Sequence, residues 1–132
     1  MAEHPPHYIV AVVDDDGRIL ESLEALLESA GHTAWLFASA AALLESGSLP
    51  EIDCLISDVD LPTIDGFELS RRVCAARPGL PIILITGHAV APDRPPAFGA
   101  GGCRFFRKPF DGEDLLMAVN DAMQNRSERA IP

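Results

Sequence analysis

LISDVDLPTIDG (55–66) opens as an apolar run and closes as a turn. The run reaches back to Ile52, and Ile52–Ser57 is short and β-rich, as in a strand buried on both faces of a parallel sheet. It ends at Asp58. Leu61–Gly66, with Pro, Asp and Gly, reads as a loop. Three other runs have the same form: Ile9–Val13, Pro81–Ile85 and Cys103–Phe106. Each hands polar groups to its end: VVDDDG (12–17) supplies Asp14, Asp15 and Asp16, ILITG (83–87) supplies Thr86, and FFRKPF (105–110) supplies Lys108. In parallel sheets ligands bind beyond the carboxyl ends of the strands. The pattern therefore predicts a site at these positions.

The stretches between the runs have helical spacing. In 17–30 Leu20, Leu23, Leu26 and Leu27 share a face, with Glu21, Glu24 and Glu28 elsewhere, and Gly31 stops the helix. Thr33–Phe37 is a less apolar strand, expected at a sheet edge, and Ser39 caps a short helix through about Ser46. A third helix is predicted from about Phe67 to Ala76, closed by Pro78 and Gly79. The last runs from an Asp111 cap to about Gln124, burying Leu115, Leu116, Val119 and Met123. Strand and helix alternate throughout, which makes the fold α/β with right-handed crossovers.

With 132 residues, 48% of them hydrophobic, the chain fits one domain with a real core and leaves no room for a second. A net charge of −10 with ten scattered basic residues argues against direct nucleic-acid binding, which needs clustered Lys and Arg. Cys54, Cys74 and Cys103 form no CxxC pair and suit free thiols in a reducing compartment. No apolar run approaches the ~20 residues of a membrane span, and the start lacks a secretory pattern. The expected location is the cytoplasm, without membrane insertion.

The acidic cluster, the lone Asp58, Thr86 followed by a small residue, and Lys108-Pro109 resemble, as a set, the receiver domain of two-component response regulators, including stand-alone chemotaxis-type and FixJ-like receivers. The resemblance covers 8–125, with 1–7 an N-terminal extension and 126–132 a fraying tail. It implies a doubly wound, flavodoxin-like (βα)5 fold with a five-stranded parallel sheet in the order 2-1-3-4-5. That order brings Asp14, Asp15 and Asp58 together. Close carboxylates repel unless a cation joins them, and Mg²⁺ suits few carboxylates, retained waters and a phosphoryl oxygen. The resemblance implies that Mg²⁺ is held by Asp15, Asp58 and the Asp60 main-chain carbonyl, with Asp14 acting through water. Asp58 is then the phosphoacceptor from a histidine kinase or phosphotransfer protein, with no turnover enzyme implied. Lys108 pairs with Asp58 and stabilises charge on the transferring group, and Thr86 offers its hydroxyl to a phosphoryl oxygen. Gly87 leaves the site open, Pro109 follows a bond that is cis in the family, and His88 and Asp60 lie where side chains influence access of water to the acyl phosphate. Phe105 matches the aromatic that moves on phosphorylation. Asp16 is read mostly as solvation of a helix start.

Two other readings compete. Asp14-x-Asp16, Thr86 and Lys108 imitate motifs of haloacid-dehalogenase-like phosphatases, but Asp111, Glu113 and Asp114 open a helix where that family needs acids on a strand, and Asp58 goes unexplained. A receiver-shaped interaction module without phosphorylation is the other. The resemblance implies a stand-alone regulator or phosphorelay intermediate acting on a downstream protein target. Its fourth helix is expected to be disrupted: in VAPDRPPAFGAGG (90–102) Pro95 and Pro96 each cost about 3 kcal/mol inside a helix, leaving at most one turn from Pro96 to about Ala100. Receivers commonly use that face for dimerisation and output, so a homodimer is among the partners allowed.

Overall fold

The computed structural model describes residues 7–87 and 103–130. Within them the order is β1 (Ile9–Val13), α1 (Gly17–Ser29), β2 (Thr33–Phe37), α2 (Ala40–Glu45), β3 (Cys54–Asp58), α3 (Gly66–Ala76), β4 (Ile82–Thr86), β5 (Cys103–Arg107) and α4 (Gly112–Ala130). The strands form one parallel sheet ordered β2-β1-β3-β4-β5. This is the doubly wound arrangement and strand order expected. The disrupted fourth helix and His88 lie outside the described residues.

The central strands are buried because both faces of the sheet are covered. One core gathers Ala11, Val13, Leu55, Ile82 and Leu84 with Leu43 of α2 and Leu69 and Val73 of α3. The other gathers Val10, Val12, Ile56, Ile83 and Ile85 with Leu23 and Leu27 of α1 and Leu115 and Val119 of α4. Neighbouring residues of one strand thus serve opposite layers, which is why these strands read as continuous apolar runs. β2 is half-buried along its length, as an edge strand should be.

Helix ends follow local chemistry. The side chains of Asp16, Ser39 and Asp65 accept hydrogen bonds from the first-turn amides of Arg18, Ala42 and Glu68. Gly31, at φ 88°, closes α1 in the left-handed conformation. Asp111 accepts from the Glu113 and Asp114 amides at 2.8 and 3.2 Å and opens α4. The end of α4 departs from expectation. Its backbone stays helical to Ala130, six residues past Gln124, because 125–130 contains no Gly or Pro and several good helix formers.

Candidate functional site

Parallel register brings the strand ends level. Val13 lies beside Ser57, Asp58 beside Ile85, and Thr86 beside Arg107. The Lys108 amide donates to the Thr86 carbonyl at 2.8 Å, so the ladder continues one residue past β5. Asp14, Asp58, Thr86 and Lys108 therefore leave their strands at one end of the sheet.

Asp14 is 2% exposed and Asp58 5% exposed, while Asp15 faces solvent. Carboxylate oxygens from all three lie within 4.8 Å of one another. The Lys108 ammonium sits 3.4 Å from Asp14 Oδ2 and 3.6 Å from Asp58 Oδ2, bridging two buried acids rather than pairing with Asp58 alone. Burial pushes the Asp14 carboxyl above the usual range, against the Asp16 amide that donates to it at 2.9 Å; the charge of Asp58 raises it further and Lys108 draws it back. One ammonium among three carboxylates leaves negative charge uncompensated. Hard oxygen donors at this spacing fit a small divalent cation, since metal–oxygen bonds of about 2.1 Å put adjacent octahedral ligands roughly 3 Å apart and opposite ones about 4.2 Å.

The loop after β3 is held from several directions. The Val59 amide donates to the Ile85 carbonyl at 2.8 Å and the Asp60 amide to Asp58 Oδ1 at 3.3 Å. Gly66 returns its amide to the Val59 carbonyl at 2.9 Å, and its Cα is seated so closely that a Cβ would lie 2.4 Å from the Asp58 carbonyl oxygen and 2.8 Å from Val59 Cα. Thr63 has φ 68°, which is rare for a β-branched residue.

The remaining sequence candidates fall as follows. Gly87 is exposed just past β4, and among the described residues nothing stands within 4 Å of where its Cβ would be. The Lys108–Pro109 peptide bond is cis. Asp60 is exposed, and Asp16 serves as the cap of α1. Phe105 is half-buried on β5, its ring 6.1 Å from that of Phe67 at a 47° tilt. Sequence reasoning missed Gly66 and Phe67. The Asp65-Gly66 dipeptide signals a turn and a cap, but not that Gly66 must touch the backbone of Asp58. It also missed a polar cluster around His32, which is buried near the start of β1: its Nδ1 accepts from the Tyr8 amide at 3.3 Å and its ring stacks on Tyr8.

A family model described as the response regulator receiver domain matches residues 10–120. The chain belongs to this family. The receiver is 38% identical over 116 residues to the response regulator protein TmoT of Ectopseudomonas mendocina, covering 88% of this chain and 53% of that protein. It is 35% identical over 121 residues to the transcriptional regulatory protein FixJ of Bradyrhizobium diazoefficiens, covering 92% and 59%. The chain thus spans little more than half the length of these relatives. Among solved structures, a response regulator receiver domain protein from Clostridium thermocellum superposes with a TM-score of 0.80 at 27% identity, covering 91% of this chain and 97% of that one. The response regulator StyR gives 0.77 at 36% identity, covering 92% and 61%. Receivers are signalling domains of two-component systems, and the acidic cluster described above is consistent with that role. The phosphatase reading loses ground on two counts: Asp16 is committed to a helix cap, and Asp111, Glu113 and Asp114 stand at the start of α4. Among the described residues no helix is long and apolar enough to cross a membrane.

Proposed function

We propose that this receiver accepts a phosphoryl group on Asp58 from a phosphohistidine of a histidine kinase or phosphotransfer protein, in the cytoplasm, and signals through protein contacts. A carboxylate oxygen of Asp58 attacks phosphorus, a P–O bond forms, and the P–N bond breaks with its electron pair leaving on the imidazole, which takes up a proton. Lys108 moves from its carboxylates to the transferring group and stabilises its charge. Asp15, Asp58 and the Asp60 carbonyl would hold Mg²⁺, with Asp14 acting through water, and the bound ion supplies neutralisation of carboxylate and phosphoryl charge. The hydroxyl of Thr86 is drawn to a phosphoryl oxygen, and Phe105 fills the space behind it as a two-state element. His88 and Asp60 tune access of water to the product. The domain stores a phosphoryl group and performs no turnover chemistry on a metabolite.

The observation that supports this reading most is Asp58 at the end of a buried central strand, 3.6 Å from Lys108 and within one oxygen cluster with Asp14 and Asp15. The test is incubation with acetyl phosphate and Mg²⁺, followed by intact-mass measurement. Wild type should gain one phosphoryl group and Asp58→Asn none. Equal labelling of Asp58→Asn rejects the acceptor assignment, and absence of label on wild type favours a phosphorylation-independent interaction module.

A further inference from the structure

Phe105 has a choice of surroundings. On one side its ring meets Phe67 in the first turn of α3, and both rings pack on the core shared with α2 and α3. Outward from that core lies the edge of β5, where Phe105 also borders a groove shared with Arg104, Phe106, Asp114, Met117 and Asp121 on the α4 side of the sheet. Phe lacks a hydroxyl that could anchor the ring outward through a hydrogen bond, so apolar and aromatic contact decides between the two positions. Among the described residues Phe67 is the aromatic contact of the Phe105 ring.

Phe67 is also tied to the acceptor. It follows Gly66, whose Cα rests on the Asp58–Val59 peptide and whose amide donates to the Val59 carbonyl at 2.9 Å. A close-packed contact of this kind transmits displacement rather than absorbing it.

We propose that Phe67 is a positioning residue of the switch: its ring braces Phe105 in the inward position and joins that position, through Gly66, to the backbone of Asp58. This rests on the reading of Phe105 as the switching aromatic. The brace biases the unphosphorylated domain toward the inward ring, so part of the activating change is already made before transfer. By reciprocity of coupled equilibria, removing the brace weakens binding of any group at Asp58 that favours the inward ring.

The experiment uses the whole chain with 4-fluorophenylalanine at position 105, titrated with beryllofluoride and Mg²⁺ as a phosphoryl mimic and read by ¹⁹F NMR. The ring label reports Phe105, and the separate fluorine signal of bound beryllofluoride reports occupancy. In wild type the label should shift as beryllofluoride binds. In Phe67→Leu the unliganded label should move away from its activated position, and beryllofluoride affinity should fall about 2- to 10-fold, the range expected for an aromatic pair. Phe67→Tyr, which keeps the ring, should restore both, while thermal unfolding confirms that each variant is folded. If the label shifts in wild type but Phe67→Leu changes neither its resting position nor the affinity, the brace is refuted and the switch reading survives. If beryllofluoride binds without moving the label, Phe105 is not the switch and the proposal falls with it. No binding at all overturns the acceptor reading beneath both.

Discussion

Replacing Gly66 by Ala tests whether the backbone of the acceptor loop is fixed by close approach. The added Cβ would stand 2.4 Å from the Asp58 carbonyl oxygen and 2.8 Å from Val59 Cα, both main-chain atoms with no rotamer to yield. Ordinary contact distance requires a shift of about 1 Å. Overpacking of this kind costs about 1–3 kcal/mol. Bonds of Val59 to Ile85, Gly66 to Val59 and Asp60 to Asp58 share the strain, and losing one adds roughly 1 kcal/mol. A total near 3 kcal/mol lowers the melting temperature of a domain this size by about 10 °C. The same shift displaces Asp58 and Asp60, and misplacement by 1 Å can slow a positioned reaction about 10²-fold. Differential scanning calorimetry and the rate of phosphorylation by acetyl phosphate measure the two effects. Gly17→Ala is the matched control: a Cβ there meets nothing within 4 Å, so it should be neutral or stabilising by up to about 1 kcal/mol. A Gly66→Ala protein that melts within 2–3 °C of wild type and phosphorylates within about threefold of its rate would refute the reasoning.

Asp15→Ala should weaken Mg²⁺ affinity, read by calorimetry, and phosphoryl transfer together, whereas Thr86→Ala should keep transfer and blunt the conformational response. Because the fold raises the Asp14 carboxyl above its ordinary 3.8, its stabilising contribution is present below that pH and is lost as pH rises through the folded value. Asp14→Asn should therefore raise stability at pH 7 without Mg²⁺, and the gain should vanish near pH 3 in pH-dependent melting. Thr63→Gly should stabilise by about 1 kcal/mol in urea unfolding, since Gly takes positive φ without the Cβ penalty. Burial, with the nearby His7, lowers the His32 imidazole, so its contribution is present above about pH 6.5 and lost as pH falls below it. An NMR titration should find His32 half-protonated below pH 6.5, and a midpoint at or above it would contradict the packing described.

The sheet was legible because its strands are buried on both faces and so are uninterrupted apolar runs, each ending in a polar residue that the parallel register then aligns. Strand order was not available from periodicity, and the resemblance carried it. Asp14, Asp15, Asp58 and Lys108 could be selected only as a set, because singly each suits a cap, a turn or an exposed surface, and it is their joint order with Thr86 that carries the resemblance. Gly66 and Phe67 escaped for a different reason. Their importance lies in what stands opposite them in space, the Asp58–Val59 peptide and the Phe105 ring, and both residues suit an ordinary turn and helix start. The extension of α4 to Ala130 was missed because polarity was read as fraying, although nothing in 125–130 breaks a helix.

The charge arrangement links the resting state to the phosphorylated one. Lys108 lies at similar distance from Asp14 and Asp58, so in the resting domain it offsets part of the repulsion between two buried acids. The proposed phosphorylation would convert the Asp58 carboxylate into an acyl phosphate, a mixed anhydride bearing roughly 1.5–2 negative charges on its phosphoryl oxygens. Those oxygens would compete for Lys108, and Asp14, 2% exposed, would lose its ammonium partner as they win. A buried carboxylate left unpaired is costly, so Asp14 then depends most on whatever cation the cluster holds. Mg²⁺ should on this account bind the phosphorylated or beryllofluoride-loaded domain more tightly than the resting one, and Asp14→Asn should shrink that difference. Equal Mg²⁺ affinity in the two states of wild type would show that Lys108 does not leave Asp14.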